Sequence, residues 1–203
     1  TRHSAIQHER TLDDHLGYGW YLSGISSIHR CRVGFGGDVQ LDSSDKLCLD
    51  GEPLVAVSGA YHALNTEYRT KEQTWIKVVQ KSNAGNTWFE VTYPDGRVAD
   101  FGRYADERTM LGEIGVDPQV GWATADTEFM TWGLAKIRHP LGNELTVTYD
   151  VDNANGTLNP KKIAYDEAEV RFQYMPRNDL PTRIVANPLT GSATARRHSV
   201  LSK

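Results

Sequence analysis

The residues whose spacing comes nearest to catalytic machinery are Glu167-Ala168-Glu169. ADP-ribosyltransferases use a Glu-x-Glu pair to hold the nicotinamide ribose and orient an acceptor. That chemistry also needs an upstream arginine and a Ser-Thr-Ser-like supporting strand, and Ser26-Ser27 lies far from any such arrangement. A solvated hairpin turn is the expectation. The run Asp150-Val151-Asp152-Asn153-Ala154-Asn155-Gly156 looks like a calcium loop. An EF-hand needs an oxygen ligand at its fifth position, Gly at its sixth and Glu at its twelfth, and those places hold Ala154, Asn155 and Lys161. Asx-rich turns are the simpler account of this run and of Asp42, Asp45 and Asp50. His8-Glu9 lacks the second His of a zincin, and Gly34-Phe35-Gly36-Gly37 lacks the Lys-Ser/Thr that would meet phosphate and Mg²⁺. The sequence therefore points away from an enzyme and calls for no cofactor and no metal; no catalytic residue is assigned.

Two other residue types invite chemistry. Cys31 and Cys48 are the only cysteines, each in an alternating apolar-polar run. A bridge between them would close a loop of about 16 residues and add on the order of 3 kcal/mol in an oxidising compartment. Two buried free thiols are the alternative. The tryptophans Trp20, Trp75, Trp88, Trp122 and Trp132 would stack on sugar rings if exposed; filling a core is the more ordinary role.

The elements that must position these residues read as short strands. Trp88 to Tyr93 places Phe89, Val91 and Tyr93 on one face; Pro94-Asp95-Gly96 supplies a turn and Arg97 to Phe101 returns. Leu145, Val147 and Tyr149 alternate after the turn Leu141-Gly142-Asn143, and Ile163 to Tyr165 and Val170 to Tyr174 follow the same pattern. Asp126 to Ile137 fits a strand better than a helix because Gly133 interrupts any helical face. The expected fold is all-β: antiparallel hairpins forming a curved, extended sheet with little helix. The expected organisation is a flexible N-terminal segment over 1–15, a β-rich domain over 16–188 and a polar C-terminal tail over 189–203.

With 203 residues, 39% hydrophobic and 24% charged, the chain has a globular composition. A net charge of -4 argues against nucleic acid as a partner, and no apolar run approaches the roughly 20 residues of a membrane span.

A family resemblance follows from particular blocks. Leu16-Gly17-Tyr18-Gly19-Trp20-Tyr21-Leu22-Ser23-Gly24-Ile25-Ser26-Ser27-Ile28-His29-Arg30-Cys31 resembles the opening motif of the SpvB and Tc-toxin B-component family. The stretch from Leu41-Asp42 through Cys48-Leu49-Asp50-Gly51 to Val55 resembles its second block, and Thr66-Glu67-Tyr68-Arg69-Thr70 a third. Gly142-Asn143 through Tyr149-Asp150 is similar to the YD repeats of the Rhs branch. The resemblance covers about residues 15 to 186. It implies an N-terminal shell segment: a non-enzymatic structural module that encloses or docks onto a toxin or secretion partner, secreted or at the cell surface. The implied partners are proteins: the rest of a shell, a toxin cargo, another toxin component, or a second copy through sheet edges. The structural positions it marks are Gly17, Gly19, Trp20, Gly24, Asp50 and Gly51, with tight backbone approach as the role of the glycines. The alternatives are a carbohydrate- or surface-binding module and an ADP-ribosyltransferase-related toxin fragment.

Overall fold

The computed structural model describes residues 13–14, 17–18, 22–31, 43–83, 86–104, 107–110, 129–152, 157–176, 183–187, 191–195 and 199–201. Their regular structure is β. In chain order the strands are β1 (Asp13–Asp14), β2 (Gly17–Tyr18), β3 (Ser27–Cys31), β4 (Lys46–Leu49), β5 (Glu52–Ser58), β6 (Glu67–Thr70), β7 (Lys77–Asn83), β8 (Asn86–Thr92) and β9 (Val98–Phe101). They continue as β10 (Arg108–Met110), β11 (Phe129–Arg138), β12 (Glu144–Asp152), β13 (Thr157–Tyr165), β14 (Ala168–Arg171), β15 (Tyr174–Pro176), β16 (Arg183–Asn187), β17 (Gly191–Ala195) and β18 (Ser199–Leu201).

The expected open, curved sheet is corrected by the pairing of β11. Successive antiparallel neighbours run from β3 through β9, and β11 then pairs with both β3 and β9. The circuit β11-β3-β4-β5-β6-β7-β8-β9 closes into an eight-stranded barrel. Closure consumes edges that an open sheet would leave unpaired. The pairings that accomplish it, Trp132 with Ile28 and Ile137 with Ala99, join segments far apart in sequence, so local alternation does not announce them.

β11 is long because it takes four strand neighbours within one sheet. Its N-terminal half lies between β3 and β10; its C-terminal half lies between β9 and β12. From there β12, β13 and β14 continue as a three-stranded flap. A register shift at Thr148/Tyr149 bends β12, and the Tyr149 hydroxyl donates to the Leu134 carbonyl at 2.8 Å. Gly133 permits this. A Cβ there would sit 2.7 Å from Leu158 Cδ2 and 2.8 Å from Tyr149 Cζ, so the flap packs where the barrel wall has no side chain. β15 pairs with β18, β16 with β17 and β1 with β2. The stretch expected as a polar tail thus contains β17 and β18, and the expected boundary at 188 falls inside the β16–β17 hairpin.

Period-two alternation fills the barrel. Ile28, Leu47, Leu49, Leu54, Tyr68, Val78, Phe89, Val91, Ala99, Phe101, Trp132 and Leu134 share the buried face. Tyr68, Phe89 and Trp132 run edge-to-face, with centroids 6.5 and 5.0 Å apart. Burying each such ring contributes about 1.5–3 kcal/mol.

Candidate functional site

Among the described residues, two of the buried charged side chains, Arg30 and Asp45, meet at the end where β3 ends and β4 begins. Arg30 continues the inward stripe from Ile28 and is buried. Its Nη1 meets the Asp45 carboxylate at 3.3 Å, and its Nε donates to the Phe129 carbonyl at 2.9 Å. The segment from Gly59 to Thr66 closes this end. Tyr61 enters the gap where β4 and β5 part, since their ladder holds only Cys48 opposite Pro53 and Leu49 opposite Glu52. Beyond that point Leu47 N–H donates to the Tyr61 hydroxyl at 2.8 Å, and the hydroxyl donates to the Leu54 carbonyl at 3.1 Å. One phenol thus replaces a missing ladder bond. Burial pushes its pKa up to about 12, so it remains a donor throughout the physiological range.

His62 is clamped beside it, in the left-handed region at φ 65°. Its N–H donates to the Tyr68 hydroxyl at 2.9 Å, that hydroxyl donates to Gln80 Oε1 at 2.8 Å, and Gln80 Nε2 donates to the His62 carbonyl at 2.8 Å. The ring Nε2 lies 2.7 Å from the Asp45 carbonyl. Burial holds the ring's pKa below its ordinary value; the nearby Arg30 and Lys46 charges act in the same direction, against the Asp45 carbonyl and carboxylate. Sequence reasoning missed this cluster. Its available signal was a charged residue, Arg30, on an otherwise apolar inward stripe.

The residues singled out from sequence fall into separate places. Cys31 and Cys48 form a disulfide between adjacent strands, with Cα atoms 5.9 Å apart, and both are buried. Asp50 and Gly51 are the two central residues of the β4–β5 turn, with φ 51° and 89°, the geometry that an Asp-Gly hairpin loop favours. Asp50 also accepts from Ser27 N–H at 2.9 Å while its own N–H donates to the Ser27 carbonyl at 3.0 Å, tying the turn to β3. Gly24 and Gly51 each face open space where a Cβ would be, so positive φ, not close approach, is what calls for glycine there. Close approach operates at Gly133 instead. Gly17 lies in β2; Gly19 and Trp20 lie outside the described residues.

The acidic candidates are engaged elsewhere. Glu169 sits on β14 with its carboxylate 2.6 Å from Arg171 Nη2, and Glu167 is in the exposed turn before it. Asp150 pairs with Lys161 at 2.9 Å, and Asp42 lies outside the described residues. Among the described residues no three His, Cys, Asp or Glu side chains converge to hold a metal ion, and no helix is long and apolar enough to cross a membrane. Trp88 and Trp132 are buried, whereas Trp75 is 69% exposed; Trp122 lies outside the described residues.

The flap ends in a strand with a different character. Every residue of β14 is exposed, including Val170, and β13 is its one strand partner among the described residues. Tyr165 and Leu141 are exposed nearby in the same flap and at the β11–β12 turn.

This architecture, a closed barrel with a flap branching from β11, is found in solved structures. The N-terminal domain of the effector protein SpvB from Salmonella typhimurium strain LT2 superposes with a TM-score of 0.65 over 96% of this chain and 78% of its own, at 18% identity. The chain has the SpvB/Tc-toxin fold. TcdB2-TccC3 matches with a TM-score of 0.64 over 93% of this chain at 16% identity, and a Tc holotoxin pore of Photorhabdus luminescens with 0.58 over 77% at 18%. This chain spans 12% of the TcdB2-TccC3 chain and 8% of the holotoxin chain. No family model and no curated protein matches the sequence.

Proposed function

We propose that this chain is a non-enzymatic structural module of a toxin shell of the SpvB/Tc type, which docks onto neighbouring shell or toxin polypeptides. The observation that carries the reading is β14. The last strand of the flap is exposed on every residue and, among the described residues, pairs with β13 alone, so its other edge is one that an extended segment of another polypeptide could complete by backbone hydrogen bonding. The fold likeness to TcdB2-TccC3 and to a Tc holotoxin pore supports the reading. A disulfide suits a secreted or cell-surface location.

Hydrogen exchange on β14 tests the proposal. In the isolated 203-residue chain the outward amides of Ala168–Arg171 exchange rapidly; in material purified from its native source they are protected. Equal exchange in both preparations overturns the docking role. The exposed Trp75 favours a second reading, a carbohydrate-binding surface. Quenching of indole fluorescence by glycans, lost in Trp75→Ala, would support it; no response across a glycan panel would remove it.

A further inference from the structure

We propose that the occupant of the β14 edge is a second copy of this chain, the two β14 strands pairing antiparallel about a two-fold axis at Val170; this deepens the docking role of β14 and rests on it. The available backbone groups follow from the β13–β14 ladder. Phe172 N–H donates to the Lys161 carbonyl, and Arg171 stands opposite Lys162 in register. Antiparallel bonding alternates along a strand, so Val170 turns its backbone groups toward β13 while Glu169 and Arg171 turn theirs to the other edge. Side chains alternate between faces. Glu169 and Arg171 share one face of the flap; Ala168, Val170 and Phe172 share the other.

The order Glu-Val-Arg complements its own reversal. With Val170 opposite Val170 of the second copy, Glu169 falls opposite Arg171 and Arg171 opposite Glu169. Each of these pairs exchanges both of its backbone hydrogen bonds and sets unlike charges side by side. Within one copy Glu169 already meets Arg171 at 2.6 Å and Lys162 at 3.7 Å, so the joined face holds a carboxylate–cation network with cations in excess. On the other face, the cross-strand row Val147, Ile163, Val170 runs from 1% exposed at Val147 to 56% at Val170. Val170 of the second copy covers that exposed end, and Ala168 meets Phe172. Other registers are poorer. Centring on Glu169 or Arg171 sets like charges opposite, and a slip of one residue turns a charged face onto an apolar one. A strand of four residues makes a small interface, so the dimer belongs to the weak, concentration-dependent class.

Sedimentation velocity on the 203-residue chain, from micromolar to millimolar concentration, reads the association, and hydrogen exchange reads its seat. A monomer–dimer equilibrium is expected, with protection of the Glu169 and Arg171 amides rising with concentration and that of Val170 holding steady. E169R alone and R171E alone each set like charges opposite at both symmetry-related pairs and should raise the dissociation constant on the order of tenfold. Mixed in equal amounts, the two variants restore unlike pairs throughout and should associate at least as tightly as the wild type. A monomer at every concentration, exchange at Glu169 and Arg171 that ignores concentration, or a mixture without rescue overturns the second copy as occupant. The wild-type arms need no variant, so they decide the matter should E169R or R171E fail to fold. If the chain stays monomeric while β14 is protected in material from its native source, the docking role stands and another polypeptide fills the edge; protection in neither preparation removes both.

Discussion

Removing the Arg138 side chain should cost the barrel its closing seam more than removing an exposed lysine of the flap costs anything. Asp100 on β9 is a carboxylate 2% exposed, and Arg138 on β11 grips it with two bonds, Nη1 at 2.8 Å and Nη2 at 2.7 Å, across the β9–β11 closure. Arg103 adds a third at 3.0 Å. Glu90 stands directly opposite Asp100 in the β8–β9 register, so the cations also relieve a like-charge pair. Stripping one partner from a buried ion pair typically costs about 3–5 kcal/mol. Here Arg103 remains, and Arg138 is itself 34% exposed, which brings the expectation for Arg138→Met to about 2–3 kcal/mol. With a urea m-value near 2 kcal/mol/M, the midpoint should fall by roughly 1–1.5 M at unchanged m. Lys161→Met breaks a pair whose side chains are 60% and 58% exposed and should stay within about 0.5 kcal/mol of the wild type. The Arg138→Met deficit should also persist in high salt, because a buried carboxylate is poorly screened. An Arg138→Met midpoint indistinguishable from that of Lys161→Met, or a deficit that salt abolishes, would refute the assignment of Asp100 and Arg138 to barrel closure.

Two further changes test how the wall is joined. Replacing Cys31 and Cys48 by Ser should lower stability by about 3 kcal/mol, the loop-entropy value for cysteines 17 apart, and a loss under about 1 kcal/mol would sink that account. Tyr61→Phe should cost about 1–3 kcal/mol and speed amide exchange at Leu47, since it leaves both ends of the β4–β5 gap without their bridge; unchanged exchange at Leu47 would contradict the wedge.

Much of this protein was legible in its residues, because strands, turns and the SpvB/Tc resemblance rest on local chemistry. Alternation placed Phe89, Val91, Val147 and Tyr149 on buried faces, and Asp50-Gly51 and Pro94-Asp95-Gly96 occupy turns, because side-chain direction and φ preferences operate within a few residues. The Cys31–Cys48 bridge stood open between two readings, since spacing along a chain does not set a distance across it. Closure of the sheet, the branching at β11, the Arg30–Asp45–His62 cluster and the Asp100–Arg138 seam belonged to the tertiary structure alone. Each depends on the twist accumulated over many strands, which decides which distant segments meet. That sum is not written in any single stretch of residues.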